Sequence, residues 1–367
     1  MQTLEKKSFR LDINKLKTVF VGFHLPTIKN LLLLVELIIE KRTTNLNKLK
    51  DAVPRLLENN LPATASNYQR LLRFFKHKKR KELTRQILSV NLRLISPGRI
   101  RLLVIDRTNW KLGAKNINLL TLGYIWNDIH IPLLWKQLNK QGNSNLKDRK
   151  SLFKQAISLC HIHDAMLLAD REFIGDKWFS FLLQNRIHFM IRLKAEQYKR
   201  LIDSTIPVRF DKLKRKASGG RKLAHTTIVV KGYTLNYIIL KNPQNNPEEP
   251  LLYFLTNRST AARSKRLQVY LKRWAIETFF RHLKSNGFNL EDINFKDDDK
   301  IELMMALTCM AYCFSIKAAQ GKNRQKMKTY ASGQKYLAIS TFRMGTAEFE
   351  RQIFCLKDFI KHICLIL

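Results

Sequence analysis

Acidic side chains are the scarce class in this sequence. Asp and Glu number 29 against 67 Lys and Arg over 367 residues, a net charge of +38. So strong a positive field disfavours a small neutral substrate and favours a polyanion, either nucleic acid or an anionic membrane surface. The bases run along the whole chain instead of gathering in one amphipathic helix or tail, which fits nucleic acid and no membrane. Cysteine is also sparse. Cys160, Cys309, Cys313, Cys355 and Cys364 form an odd, scattered set without a CxxC pair, which points to a reducing compartment. Long apolar runs are missing too. Leu31–Ile39 is interrupted by Glu36, and Leu303–Ile316 is 14 residues long, so both read as buried helices too short to span a bilayer. The basic, polar N-terminus does not resemble a secretory leader, and a cytoplasmic, nucleoid-associated protein is expected. The nine histidines lack metal-ligand spacing, and neither a GxxxxGK[ST] loop nor a nucleophile elbow occurs.

What is present divides the chain into four stretches. Residues 1–96 read as a helical domain. Thr27–Lys41 is an apolar helix, and Ser66 is placed to cap a helix over Asn67–His77 that runs into the basic stretch Lys76–Lys81. Such a domain either contacts DNA or is a bundle with a solvated basic face. After Pro97-Gly98 the period changes. Ile100–Ile105 is a strand ending at Asp106, and Asn116–Trp126 and Ile129–Leu138 are strands joined by a hairpin at Asn127-Asp128. A helix over Leu146–Leu159, a strand over Ala165–Ala169 ending at Asp170, a helix over Asp176–Asn185 and a strand over His188–Leu193 follow. Three hairpin-linked strands, then helix, strand, helix, strand is the order of a ribonuclease H-like α/β core with a mixed sheet. That core is expected over 97–193 and 258–320. It is interrupted by a β-rich insertion at 194–257, all-β in class, with a mobile basic loop at 212–222 that includes Lys214, Arg215 and Lys216. Residues 321–367 form a basic segment and a last helix.

Three acids stand out. Asp106 and Asp170 lie at matched strand ends, and adjacent parallel strands would bring those ends to one rim. Glu277 lies in Tyr270–Lys284, read as one helix, where Tyr270, Arg273, Glu277 and Lys284 recur at offsets that share a face. Oxygen donors from three carboxylates suit Mg²⁺ or Mn²⁺, and two such ions suit phosphodiester chemistry. The alternative is a solvated helix face carrying one Arg273–Glu277 pair, with each Asp serving as a turn or cap residue. Glu172 is a fourth carboxylate, read as a salt-bridge partner or an alternative ligand.

Asp106-Arg-Thr-Asn-Trp110, Gly142-Asn-Ser144, Asp170-Arg-Glu-Phe173 and the Tyr270, Arg273, Glu277, Lys284 set together resemble a bacterial insertion-sequence DDE transposase. The resemblance is to the IS-four branch with the Y-R-E-K signature, and it spans roughly residues 60–320. It implies that Asp106, Asp170 and Glu277 are catalytic and hold two Mg²⁺ or Mn²⁺ ions. It implies that Tyr270, Arg273 and Lys284 contact DNA; the basic loop at 212–222, by its charge, adds Lys214, Arg215 and Lys216 as expected phosphate contacts. The implied activity is cleavage at the element's terminal inverted repeats and strand transfer into target DNA, by a homodimer on paired ends. A ribonuclease H-like nuclease that does not join strands, and a DNA-binding derivative without catalysis, are the rival readings. Some relatives stack a flipped base on a Trp of the β insertion. The five Trp here all lie outside 194–257, which leaves Tyr233 or Tyr237 for that role, and Trp274 is expected in the core.

Overall fold

The computed structural model describes residues 14–58, 64–96, 98–138, 140–205, 209–219, 222–242, 246–258, 268–320, 327–329 and 335–366. Helices α1 (Leu25–Lys41), α2 (Thr64–Phe75) and α3 (Arg80–Leu94) come first. Strands β1 (Leu102–Leu112), β2 (Lys115–Trp126) and β3 (Ile129–Gln137) follow, then α4 (Leu146–Leu159), β4 (Met166–Ala169), α5 (Asp176–Gln184) and β5 (His188–Leu193). The insertion contributes a short helix at Lys199–Thr205, α6 (Phe210–Ser218), β6 (Leu223–Val230), β7 (Tyr233–Lys241) and β8 (Leu251–Thr256). The chain continues through α7 (Trp274–Leu283), α8 (Asp298–Ala318), the small pair β9 (Met327–Thr329) and β10 (Lys335–Leu337), α9 (Thr341–Gln352) and α10 (Leu356–Ile366).

Contacts divide the chain into two units. One comprises Met1–Ser96, Trp110–Ile117 and Phe279–Leu367; the other comprises Pro97–Asn109 and Asn118–Thr278. In the first, α8 is the central helix, packed by α1, α3 and α9. Its residues from Leu303 through Ile316 are all buried. At 21 residues α8 is longer than the 14-residue apolar run suggested, long and apolar enough to cross a bilayer, but its burial is that of a core helix. Gly345 of α9 lets that helix close on α8, since a Cβ there would lie 1.6 Å from the Ser315 carbonyl oxygen. Ser66 falls inside α2 instead of capping it, because the helix starts at Thr64.

In the second unit an eight-stranded mixed sheet runs in the order β3-β2-β1-β4-β5-β8-β7-β6. β1, β4 and β5 pair in parallel, and β5, β8, β7 and β6 pair antiparallel in turn. The first five strands have the ribonuclease H-like order, so the α/β fold class holds. The β2–β3 turn is the tight hairpin expected, with Asn127 at φ 47° and Asp128 at φ 63°, the left-handed pair that Asn and Asp accept most readily. α4 begins at a capping box: the Asn145 side chain accepts from the Asp148 N–H, and the Asp148 carboxylate accepts from the Asn145 N–H.

The insertion differs from expectation in two ways. Its strands extend the core sheet, with β8 buried along its whole length between β5 and β7, as its apolar run Leu-Leu-Tyr-Phe-Leu requires. It also holds helices. Of the basic stretch 212–222 read as a mobile loop, residues 212–218 belong to α6, whose Phe210, Leu213 and Ala217 are buried at helical spacing while Lys212, Arg215 and Lys216 stay exposed; residues 220 and 221 lie outside the described residues.

Candidate active site

The parallel register of β1 and β4 positions the two aspartates. Ile105 pairs with Ala169 at the end of the ladder, so Asp106 and Asp170 are the next residues on two neighbouring strands. β1 itself runs on to Leu112, so Asp106 marks the end of the parallel pairing and not, as expected, the end of the strand. Both carboxylates adopt the same local arrangement. Asp106 Oδ1 accepts from the Arg107 N–H at 2.8 Å, and Asp170 Oδ1 accepts from the Arg171 N–H at 2.7 Å. Burial raises the Asp106 carboxyl to about 6, against the opposing pull of Arg273 and the Arg107 N–H; repulsion from Asp170 and Glu277 adds to the rise. Asp106 therefore feels the charge of both other acids.

Glu277 reaches this rim through Arg273. The stretch read as one helix is not α-helical throughout: residues 268–271 form a helical turn, Lys272 and Arg273 form a tighter turn whose N–H groups donate to the Val269 and Tyr270 carbonyls at 3.2 and 2.9 Å, and α7 begins at Trp274. From this turn the Arg273 guanidinium faces inward. Nη1 donates to Asp106 Oδ2 at 2.8 Å and Nη2 donates to Glu277 Oε1 at 2.6 Å. Arg273 is 7% exposed. Burial works against its charge, but Tyr270, Asp106, Glu277 and Asp170 more than offset that and hold its pKa above the ordinary arginine value. Tyr270 is buried against Phe254, edge to face at 4.7 Å, with its hydroxyl donating to the Ala169 carbonyl at 3.5 Å. Burial pushes that hydroxyl up to about 12.

Two part-buried aspartates at the end of one parallel pairing, with a glutamate joined to one of them through a guanidinium, are an arrangement suited to polar chemistry at a phosphodiester, and comparison with known proteins agrees. Residues 97–314 match the family model described as a transposase DDE domain. The chain belongs to the DDE transposases. It is an enzyme of DNA transposition, cleaving DNA and transferring strands, and its family uses divalent metal ions. No curated protein matches the chain significantly. Among solved structures, a piggyBac transposase synaptic complex with hairpin DNA matches with a TM-score of 0.47 and 12% identity, over 94% of this chain and 73% of that one. So distant a likeness adds nothing to the assignment, which rests on the family model.

Around the transposase's acids lies a second polar network, of which the sequence indicated only the salt bridge of Glu172. That carboxylate accepts from Arg107 Nε at 2.6 Å and from the Ser144 N–H and hydroxyl at 2.8 and 2.7 Å. Arg107 also donates to Asn118 Oδ1 and Asn143 Oδ1, each at 3.0 Å. Arg149 of α4 donates to the Ser144 hydroxyl at 2.9 Å and to the Glu172 carbonyl at 3.0 Å. The loop 142–145, the start of α4 and the segment after Asp170 are thereby tied to the residue beside Asp106. A polar loop carrying Asn143 and Ser144 before a capped helix was the available signal.

The other expected contacts fall in different settings. Lys284 lies 5.5 Å over the Trp110 ring and 3.1 Å from Glu291. Lys214 pairs with Glu196 at 2.9 Å, while Arg215 and Lys216 are exposed on α6. Tyr237 is wholly buried, which removes it as a stacking platform, and Tyr233 is partly exposed. Trp274 is 52% exposed on the first turn of α7, not in the core: with Arg273 facing inward, the next residue on the helical path points outward.

The all-oxygen donor set suits hard divalent cations. Among the described residues, however, no group of three or more His, Cys, Asp and Glu side chains is already gathered as a metal site. The reason is visible in the ion pairs: Asp106 and Glu277 are held on either side of a guanidinium.

Proposed function

We propose that the transposase is of the IS-four, Y-R-E-K type and moves its own insertion element by cutting and pasting. In this reading Asp106, Asp170 and Glu277 hold two divalent cations, Mg²⁺ or Mn²⁺. When bound, these supply activation of the attacking oxygen and charge stabilisation at the leaving oxygen. Asp106 and Asp170 stand side by side on one rim, and Glu277 completes the set from α7. A water oxygen attacks the phosphorus at the element end, the P–O3′ bond breaks, and the freed oxygen takes a proton to become a 3′-hydroxyl. That hydroxyl then attacks a target phosphodiester, releasing the target's own 3′-oxygen. Arg273, Lys284, Arg215 and Lys216 hold phosphates, the helical N-terminal domain adds DNA contacts, and a homodimer pairs two element ends.

The observation that carries this reading is the register that sets Asp106 beside Asp170, with Glu277 joined to Asp106 through one guanidinium. The spacing of Tyr270, Arg273, Glu277 and Lys284 supports the branch. Asp106→Asn, Asp170→Asn and Glu277→Gln should each abolish cleavage of a labelled element end while leaving its binding within about threefold of wild type. Offering a target plasmid tests the joining step: the intact enzyme should give a covalently joined product. Substantial cleavage by Glu277→Gln would remove that residue from the site.

A further inference from the structure

Arg273 is the residue whose expected role and observed position conflict. A phosphate-binding arginine should face solvent, yet this one is 7% exposed and spends both terminal nitrogens on Asp106 and Glu277. The pairing is also incomplete, because its Nε–H is buried without a partner. A buried guanidinium with one N–H unsatisfied is an expensive arrangement to keep for stability alone. It occupies the oxygens a divalent cation would need. Asp106 Oδ1 is already engaged by the Arg107 N–H, and Oδ2 is taken by Arg273.

We infer that Arg273 is an exchangeable internal cation. It holds Asp106 and Glu277 in register before cofactor binding and must give up both carboxylates when a divalent ion binds. This rests on the proposed metal-site reading of the three acids. The competition follows from charge: two carboxylates cannot pair fully with a guanidinium and also ligate a dication through the same oxygens. The exchange needs only the side chain to move: the Arg273 backbone is held in a turn, its N–H donating to the Tyr270 carbonyl at 2.9 Å and its carbonyl accepting from the Ile276 N–H at 3.1 Å. Once displaced, the five-donor fork is free to take a phosphate, which ties the capture of metal to the capture of DNA. Arg273 is thus a positioning residue whose partner changes.

The test measures Mn²⁺ binding to the full-length protein by titration calorimetry and by electron paramagnetic resonance, without DNA. Wild type, Arg273→Gln, Arg273→Lys, Glu277→Gln and Asp106→Asn are compared, each checked by thermal unfolding. The expected result for Arg273→Gln is Mn²⁺ binding at least about tenfold tighter than wild type, with a lower melting temperature in the absence of metal that Mn²⁺ restores. Arg273→Lys, which keeps the charge but loses the two-pronged geometry, should fall between. Unchanged or weaker Mn²⁺ binding in folded Arg273→Gln, with wild-type binding lost in Glu277→Gln and Asp106→Asn, would overturn the exchange and leave the metal site standing. Binding absent from every variant, or indifferent to the acids, would overturn the metal site and the exchange together. Binding that appears only when Arg273 is replaced would support exchange in its strongest form.

Discussion

At the scale of single residues, Glu172 shows how much of an active site consists of groups that never touch substrate. Its side chain is 12% exposed, and it receives Arg107, the Ser144 N–H and the Ser144 hydroxyl on two oxygens. Arg107 carries the N–H that holds Asp106 Oδ1, so a change at Glu172 is felt at Asp106 without any direct contact. Glu172→Gln keeps the size of the side chain but removes the charge that two arginines face, Arg107 at 2.6 Å and Arg149 at 3.9 Å. Leaving buried guanidinium groups without their counter-charge should cost about 1–3 kcal/mol in urea unfolding. Loss of the support should slow end cleavage by roughly 10–100-fold. A Glu172→Gln protein that unfolds and cleaves like wild type would show the network to be incidental. Asp164, by contrast, pairs with Arg186 at 2.9 Å.

At the scale of elements, α1 contains the acid that breaks its apolar run. Glu36 is 5% exposed in a helix otherwise buried from Leu31 to Ile39, and its Oε2 is buried without a hydrogen-bond partner. Burial, with Glu40 adding to it, raises its carboxyl from 4.5 to about 8; Arg55 pulls the other way, and Asp358 adds a further small rise. The folded state therefore keeps a proton that the unfolded chain has released, so this group's contribution to stability is full below 4.5 and is lost as pH rises through about 8. Between about pH 6 and about pH 9 the wild type should lose on the order of 2–3 kcal/mol that Glu36→Gln retains. Thermal unfolding across that range checks it, and parallel curves for the two proteins would count against a protonated Glu36. Elements were legible in the sequence to unequal degrees. α4 and β5 begin and end where expected, because a capping Asn and a run of apolar residues bound them sharply. The turn at Lys272-Arg273 was not legible, since every residue from Tyr270 to Lys284 is compatible with a helix and only the i,i+3 hydrogen bonds to Val269 and Tyr270 show where the α-helical pattern lapses. α6 was hidden by its bases, although Phe210, Leu213 and Ala217 carry the helical spacing. The three acids were legible as residues, but the cation that joins two of them was visible only in three dimensions.

At the scale of the whole molecule, the excess of 38 positive charges sets how the transposase meets DNA, and the structure divides those charges into free and spent. Many bases are already paired: Lys48 with Asp292, Arg80 with Asp299, Lys214 with Glu196 and Arg273 with two acids. With 29 acids for 67 bases, most bases still have no acid to pair with, and those exposed on α6 are well placed to meet phosphate. Binding should therefore weaken steeply with salt, each neutralised phosphate adding about −0.9 to the slope of log affinity against log salt. Arg215→Ala with Lys216→Ala should make that slope shallower by up to about 1.8, because both side chains are exposed on one helix. Lys214→Ala should change it less, since that ammonium must first leave Glu196. Fluorescence anisotropy of a labelled element end, titrated at several salt concentrations, reads the three slopes. If removing Arg215 and Lys216 leaves the slope unchanged, DNA does not run along α6, and the steering charge must come from elsewhere on the chain.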